Sequence, residues 1–177
     1  MGNRISPKSL ILFIIAAASV SCSTTQPEPI TTVLTVRDPS GHIVSQSRSV
    51  KFLMWPVAHH KISQNFRPEE NSRKKSHDGI DISAPKGTRI YAPADGTVIY
   101  AGHKFHGYGR MIMIEHSPIF TTLYGHCQKL FVHSGEAVKR GNLIALVGRT
   151  GHATAPHLHF EVRVKREPVN PLIYLED

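Results

Sequence analysis

The stretch that most restricts how this chain can fold is Pro156-His157-Leu158-His159-Phe160-Glu161-Val162. Leu158, Phe160 and Val162 alternate with polar residues, the period-two pattern of a strand with one buried face. His157 and His159 therefore project together from the other face. Two imidazoles so placed suit metal binding or acid–base catalysis, provided that other donors in the chain come to meet them.

Two segments offer such donors. His77-Asp78-Gly79-Ile80-Asp81 holds a histidine and a carboxylate four residues apart, and Thr122-Leu123-Tyr124-Gly125-His126 ends an apolar and aromatic run in another histidine. On one straight strand His77 and Asp81 would stand about 13 Å apart at roughly 3.3 Å per residue, whereas two ligands of one tetrahedral zinc sit about 3.5 Å from each other. The chain must bend between them. Gly79 permits the bend, and Ile80 and Ile82 carry Asp81 into a strand. A helix would also put positions four apart on one face, but Gly79, the two isoleucines and Pro85 oppose one.

In order and separation, His77-x-x-x-Asp81, Tyr124-Gly125-His126 and His157-Leu158-His159-Phe160-Glu161 resemble the lysostaphin/LytM-type zinc endopeptidases of bacterial cell walls. The resemblance covers residues 55–172 and takes in Tyr91-Ala92-Pro93-Ala94-Asp95-Gly96-Thr97-Val98, the Gly107-Tyr108-Gly109 turn and Gly148-Arg149-Thr150-Gly151. It implies that His77, Asp81 and His159 bind one zinc ion (Zn2+), with His126 and His157 as catalytic histidines beside the metal. It also implies the family's antiparallel, duplicated-hybrid-motif-like β fold with a substrate groove, and a peptidoglycan peptide as substrate. Arg67, Arg110 and Ala155 depart from the family's more usual glycine, small polar residue and glycine.

At the start of the chain, Arg4 and Lys8 precede an apolar run over residues 10–20, the pattern of an export signal spanning residues 1–21. About 11 helical residues reach roughly 16 Å, too short for a hydrocarbon core of about 30 Å. Ser19-Val20-Ser21 is a small-x-small cleavage site directly before Cys22, a placement that resembles a bacterial lipoprotein box with Ser19 where leucine is usual. Cys22 then becomes a lipidated N-terminus, and the protein is exported and membrane-anchored at the cell envelope. Cys127 is left without a disulfide partner. It reads as a small buried residue rather than a nucleophile or fourth ligand, because adjacent Cys and His side chains on a strand face opposite ways. Residues 22–50 read as a tether rich in Ser, Thr and Pro followed by a β-hairpin, in which Val33-Leu34-Thr35-Val36 and His42-Ile43-Val44 flank the turn Asp38-Pro39-Ser40-Gly41. The catalytic domain is expected over residues 51–177.

Within that domain, short apolar runs separated by Gly, Pro and Asn turns place strands at residues 79–83, 89–92, 97–101, 111–116, 121–124, 143–147 and 157–164. Their spacing suits a mostly β, antiparallel domain, and about 125 residues can bury an adequate core without disulfides. The formal charge of +8 falls to +6 once Arg4 and Lys8 leave with the signal. Arg67, Arg73, Lys74 and Lys75 cluster before the first motif, and Arg163, Lys165 and Arg166 after the last. Such runs attract anionic wall polymers or lipid head groups, or form a solvated face. Export and the lack of a recognised binding motif argue against nucleic acid as a partner.

Two histidines and one carboxylate leave a tetrahedral zinc one open position, which marks a catalytic rather than a structural site. Bound zinc makes hydroxide available near neutral pH and polarises a carbonyl. No His-Glu-x-x-His helix supplies a glutamate base. That leaves His126 and His157 to take the proton from water, steady the oxyanion or serve the leaving amine, in roles the sequence does not divide. Glu161 shares the face of His159, and a salt bridge or solvent exposure is the preferred reading over orientation of that ligand. His116 is a candidate cleft residue, while His42, His59, His60, His103, His106, His133 and His152 read as ordinary polar residues. The expected function is a zinc metalloendopeptidase that cleaves peptidoglycan cross-links. One alternative is a non-enzymatic activator of another wall hydrolase, against which the complete set of five site residues counts. A second is a lipoyl-like carrier suggested by Ala92-Pro93-Ala94-Asp95-Gly96-Thr97-Val98, which lacks a hairpin-tip lysine and leaves the histidines unexplained.

Overall fold

A computed structural model describes residues 31–37, 43–49, 51–59, 61–68 and 76–177. The expected export signal, Cys22, the first part of the tether, and Arg73, Lys74 and Lys75 lie outside the described residues. The chain divides into two compact units, Met1–Val50 and Lys51–Asp177. In the first, strands β1 (Thr31–Arg37) and β2 (Ile43–Ser49) pair antiparallel, with Thr31 opposite Ser49 and Arg37 opposite Ile43. Their pairing continues through Ser45, Gln46, Ser47, Arg48 and Ser49, polar residues that carry no apolar signal.

The second unit is built on a ten-stranded antiparallel sheet. Its strands are β3 (Lys61–Gln64), β4 (Ile80–Ser83), β5 (Arg89–Tyr91), β6 (Gly96–Gly102), β7 (Arg110–Ser117), β8 (Phe120–Leu130), β9 (Ala137–Val138), β10 (Leu143–Val147), β11 (His157–Val164) and β12 (Glu167–Val169). The order is β3-β4-β11-β8-β7-β6-β9, with β10 paired to β5 and β8, and β12 to β11. The strands expected from the apolar runs are present. The short β3, β9 and β12 lack a readable pattern, and β8 continues well past Tyr124. Among the described residues no helix is long and apolar enough to cross a membrane. One 3₁₀ turn, Pro171–Ile173, is capped by the Asn170 side chain, which accepts from Leu172 N–H.

The histidine strand β11 runs between β4 and β8. Leu158, Phe160 and Val162 are fully buried on one face, beside Ile80 and Ile82 of β4, and the Phe160 ring lies 5.5 Å from Tyr124 of β8. Burial of each large side chain contributes about 1.5–3 kcal/mol. The opposite face is covered as well: His159 is 7% exposed and Glu161 0%. Along β11, then, the alternation is one of chemistry and not of solvent exposure.

Part of that cover comes from two glycine turns that interlock. Gly109 (φ +66°) and Gly151 (φ +70°) both occupy the left-handed region, a Cβ on Gly109 would overlap Thr150, and one on Gly151 would overlap the Gly107 carbonyl. Gly79 does a different job from the one its sequence context suggests. Its backbone is not left-handed, but a Cβ there would overlap the Phe160 carbonyl, so glycine is required for close approach to β11 and not for the bend.

Candidate metal centre

Sheet register assembles the site. Asp81 on β4 stands opposite His159 on β11, and His159 stands opposite Gly125 on β8. A Cβ on Gly125 would lie 3.3 Å from His159 Cβ, so the glycine leaves room for the imidazole. His77 lies just before β4, where its backbone N–H and C=O pair with those of Arg67 at 2.9 Å each. The chain bend thus brings His77 Nε2 to 3.2 Å from Asp81 Oδ1.

His159 Nδ1 completes a triangle, 2.9 Å from Asp81 Oδ1 and 3.2 Å from His77 Nε2. The remote nitrogens decide what these atoms are. His77 Nδ1 faces the Asn65 carbonyl at 2.9 Å, and a carbonyl only accepts, so Nδ1 carries the proton and Nε2 the lone pair. His159 Nε2 faces Glu161 Oε1 at 3.0 Å and likewise carries a proton. Three lone-pair donors therefore converge, and a cation must sit among them: a metal ion, or in its place a proton. The edges match the roughly 3.4 Å expected between ligands about 2.1 Å from a tetrahedral metal. Without a metal, burial opposes protonation of His159, but hydrogen bonds and charge from Asp81 and Glu161 outweigh it and raise its pKa to about 9. Asp81 shows the reciprocal effect: burial disfavours its ionisation, yet hydrogen bonds and charge from His159 and His77 hold the carboxyl well below the usual range.

His126 and His157 stand beside the triangle, their rings 4.6 Å apart. His157 Nδ1 donates to the Ala155 carbonyl at 2.8 Å, and its Nε2 lies 3.6 Å from Asp81 Oδ1. His126 Nδ1 donates to the Thr150 carbonyl at 2.8 Å, which leaves its Nε2 unprotonated. A regular strand would turn His126 away from the face that Gly125 shares with His159. Instead β8 bulges: Arg110 pairs with Cys127 and Ile112 with Tyr124, so Gly125 and His126 together oppose Met111 alone, and His126 takes φ 60°. Such a bulge re-aims a side chain. Burial, reinforced by the neighbouring His157 and His159, pushes the His126 pKa down to about 4, so the ring is neutral at physiological pH.

These five residues line an open cleft of about 480 Å³ together with Gln64, Ser76, Asp78, Tyr108, His152 and Thr154. The volume suits a small ligand or a short piece of a polymer. The profile of peptidase family M23 matches residues 75–171, which include all five site residues. The chain belongs to peptidase family M23. It is 41% identical over 121 residues to the murein hydrolase activator NlpD of Escherichia coli, covering 68% of this chain and 30% of NlpD. It is 40% identical over 128 residues to the peptidoglycan DD-endopeptidase ShyB of Vibrio cholerae, covering 68% and 30%. The uncharacterized lipoprotein YgeR of Escherichia coli is 40% identical over 122 residues, covering 69% and 46%. The matched region thus spans less than half the length of each relative. Among solved structures, a zinc-containing peptidase from Vibrio cholerae aligns with TM-score 0.64 and 34% identity over 80% of this chain and 46% of that one. The catalytic domain of lysostaphin from Staphylococcus simulans aligns with TM-score 0.58 and 30% identity over 64% and 90%.

Within the M23 domain, three expectations need correction. Glu161 neither faces solvent nor serves only a salt bridge: it is fully buried, accepts from His159 Nε2, and also holds Arg163 Nε at 2.6 Å. Arg163 is accordingly not a free surface charge. His116 does not line the cleft, because its ring is tied to the Asp95 carbonyl at 2.7 Å and Thr122 Oγ1 at 2.8 Å. His152, read as an ordinary polar residue, does line it, with its ring 4.7 Å from His106. Cys127 is buried and points into the core, where burial pushes its thiol up to about 12, which excludes a nucleophile. Tyr108 is the residue that sequence reasoning missed. Its turn was noted, but its hydroxyl donates to Glu161 Oε1 at 2.7 Å and its carbonyl accepts from His126 N–H at 2.7 Å.

Proposed function

We propose that this M23 domain is a zinc endopeptidase that hydrolyses peptide cross-links of peptidoglycan, and that the protein is exported and held at an envelope membrane by lipid on Cys22. One observation carries the enzymatic part: three donor atoms converge next to two further imidazoles, each held through Nδ1 by a backbone carbonyl so that its Nε2 is the atom left for a reacting group. The donor set of two imidazoles and one carboxylate suits zinc with a position open to substrate or water. Zinc bound there supplies Lewis acidity toward a scissile carbonyl and hydroxide near neutral pH.

The chain's own residues do the rest. His126 and His157 each keep Nδ1–H on a backbone carbonyl, so each presents only Nε2 to a reacting group. One accepts the proton of the attacking water. Protonated there, the same imidazole returns that proton to the leaving amine, while the other steadies the oxyanion when its own Nε2 carries a proton. Tyr108 is not a candidate for that task, since its single proton is committed to Glu161. The membrane part rests on the small-x-small site before Cys22 and on similarity to a protein named as a lipoprotein.

The similarity to NlpD favours a second reading, in which the domain activates another wall hydrolase. The test is to incubate the purified protein with cross-linked peptidoglycan, with and without chelator, and to identify the soluble products by mass spectrometry. Hydrolysis of cross-links that stops with chelator and returns with zinc is the expected result. Zinc-loaded protein that releases nothing itself, but accelerates release by an added wall hydrolase, would replace the enzymatic reading with the activator reading.

A further inference from the structure

We propose that Glu161, clamped by Tyr108 and Arg163, is a positioning residue that fixes which nitrogen of His159 faces the metal. The inference rests on the reading of His77, Asp81 and His159 as zinc ligands. An imidazole offers a metal either nitrogen, and the choice is set by what the other nitrogen meets. The two ligand histidines here present opposite atoms: His77 turns Nε2 to the triangle because Nδ1 is bound to the Asn65 carbonyl, and His159 turns Nδ1 because Nε2 is bound to Glu161. For His77 a backbone carbonyl suffices. For His159 the chain uses a carboxylate with no exposure to solvent, a costly group to bury unless fully paired.

The pairing is complete. Oε1 accepts from His159 Nε2 at 3.0 Å and from the Tyr108 hydroxyl at 2.7 Å, while Oε2 accepts from Arg163 Nε at 2.6 Å. Arg163 is itself fixed, with NH1 donating to the Arg166 carbonyl at 3.3 Å and NH2 lying 3.7 Å from Asp78 Oδ2. Each carboxylate oxygen is thus held in place, and the oxygen that meets His159 is the one Tyr108 also holds. Tyr108 extends the arrangement across the cleft, because its carbonyl binds the backbone N–H of His126 inside the β8 bulge. One turn therefore steadies a ligand histidine through Glu161 and a non-ligand histidine through the backbone.

The test uses the purified protein and its Tyr108→Phe, Glu161→Gln and Glu161→Ala variants. Three quantities are measured on each: zinc affinity by competition with a chromophoric chelator, melting temperature, and the ¹H–¹⁵N imidazole spectrum of the zinc-loaded protein. Glu161→Ala should bind zinc about 10–100-fold more weakly and lose the downfield, slowly exchanging Nε2–H resonance of His159. Glu161→Gln keeps an acceptor and should lose less, and Tyr108→Phe should weaken binding in the same direction while keeping the resonance. Variants with lowered melting temperature but wild-type zinc affinity and an unchanged resonance would reduce the network to a structural role and overturn the proposal. If Glu161→Ala does not fold, Tyr108→Phe and Glu161→Gln decide by the same readouts. Wild-type protein that fails to bind zinc would overturn the zinc reading itself, and this inference with it.

Discussion

Removing the metal should add to the pH dependence of this domain's stability through His159. In the metal-free protein His159 takes a proton in the metal's place, and Asp81 and Glu161 raise its pKa from 6.5 to about 9. At about 1.4 kcal/mol per tenfold change in proton affinity, that corresponds to about 3 kcal/mol of stability. The opposite shift of Asp81 reports the same contact from the other partner and is not added to it. Because the folded pKa lies above the unfolded one, the contribution is fully present below about pH 6.5 and is lost as pH rises through about 9. Chelator-treated protein unfolded in urea from pH 6 to 10 should therefore lose about 3 kcal/mol across that window. His159→Gln should remove the His159 part of the slope between about pH 6.5 and 9, leaving the loss above about pH 9 that the buried Cys127 thiol adds. Zinc displaces the same proton, so zinc affinity should rise about tenfold per pH unit below pH 9. A flat stability profile in the metal-free protein, or an undiminished slope in His159→Gln, would refute the reasoning.

Metal analysis of purified variants should separate the histidines: His77→Ala and Asp81→Ala lose zinc and hydrolysis together, whereas His126→Ala and His157→Ala keep near-stoichiometric zinc and lose about 10²-fold or more in turnover. A zinc-free His157→Ala would place His157 among the ligands. Gly79→Ala should destabilise the domain by about 1–3 kcal/mol in denaturant titration, since its Cβ must displace the Phe160 backbone. In a Cys22→Ser background Cys127 should resist thiol reagents at pH 8 until the protein is unfolded, and rapid labelling of the native state would contradict its burial. Fractionation of cells should find the wild-type protein with membranes and Cys22→Ser in the soluble fraction, and equal distribution of the two would remove the lipid anchor.

What the sequence made legible was set by short-range physics. Apolar runs bounded by turn residues marked the longer strands, because burial on a pleated sheet leaves that trace. The pair His77 and Asp81 required a bend, because strand geometry forbids four extended residues from closing to ligand distance. Less was visible where the third dimension intervened. The salt bridge expected of Glu161 is present, but its burial was not legible, because alternation tells which face a side chain takes but not what covers that face, and the cover is Tyr108, more than fifty positions away. The aim of His126 was hidden because a bulge depends on a register mismatch between β7 and β8 that neither strand shows alone. Gly79 looked like a hinge, when the constraint on it comes from the β11 backbone beside it.

These different origins bear on how a single fold can appear under the names of both an activator and an endopeptidase. The forces that hold the sheet together come from Leu158, Phe160 and Val162 on the core side of β11 and from the strands that pair with it. None of them needs His157 or His159. A chain could therefore lose its histidines and keep the sheet, so membership of the family does not by itself decide chemistry. What bears on chemistry is the other side of the same strand. There a buried carboxylate, a tyrosine, an arginine and two backbone carbonyls fix the protons of His77, His159 and His157, and a third carbonyl fixes that of His126. Glu161 beside His159 is a buried charged pair, costly if either partner is removed.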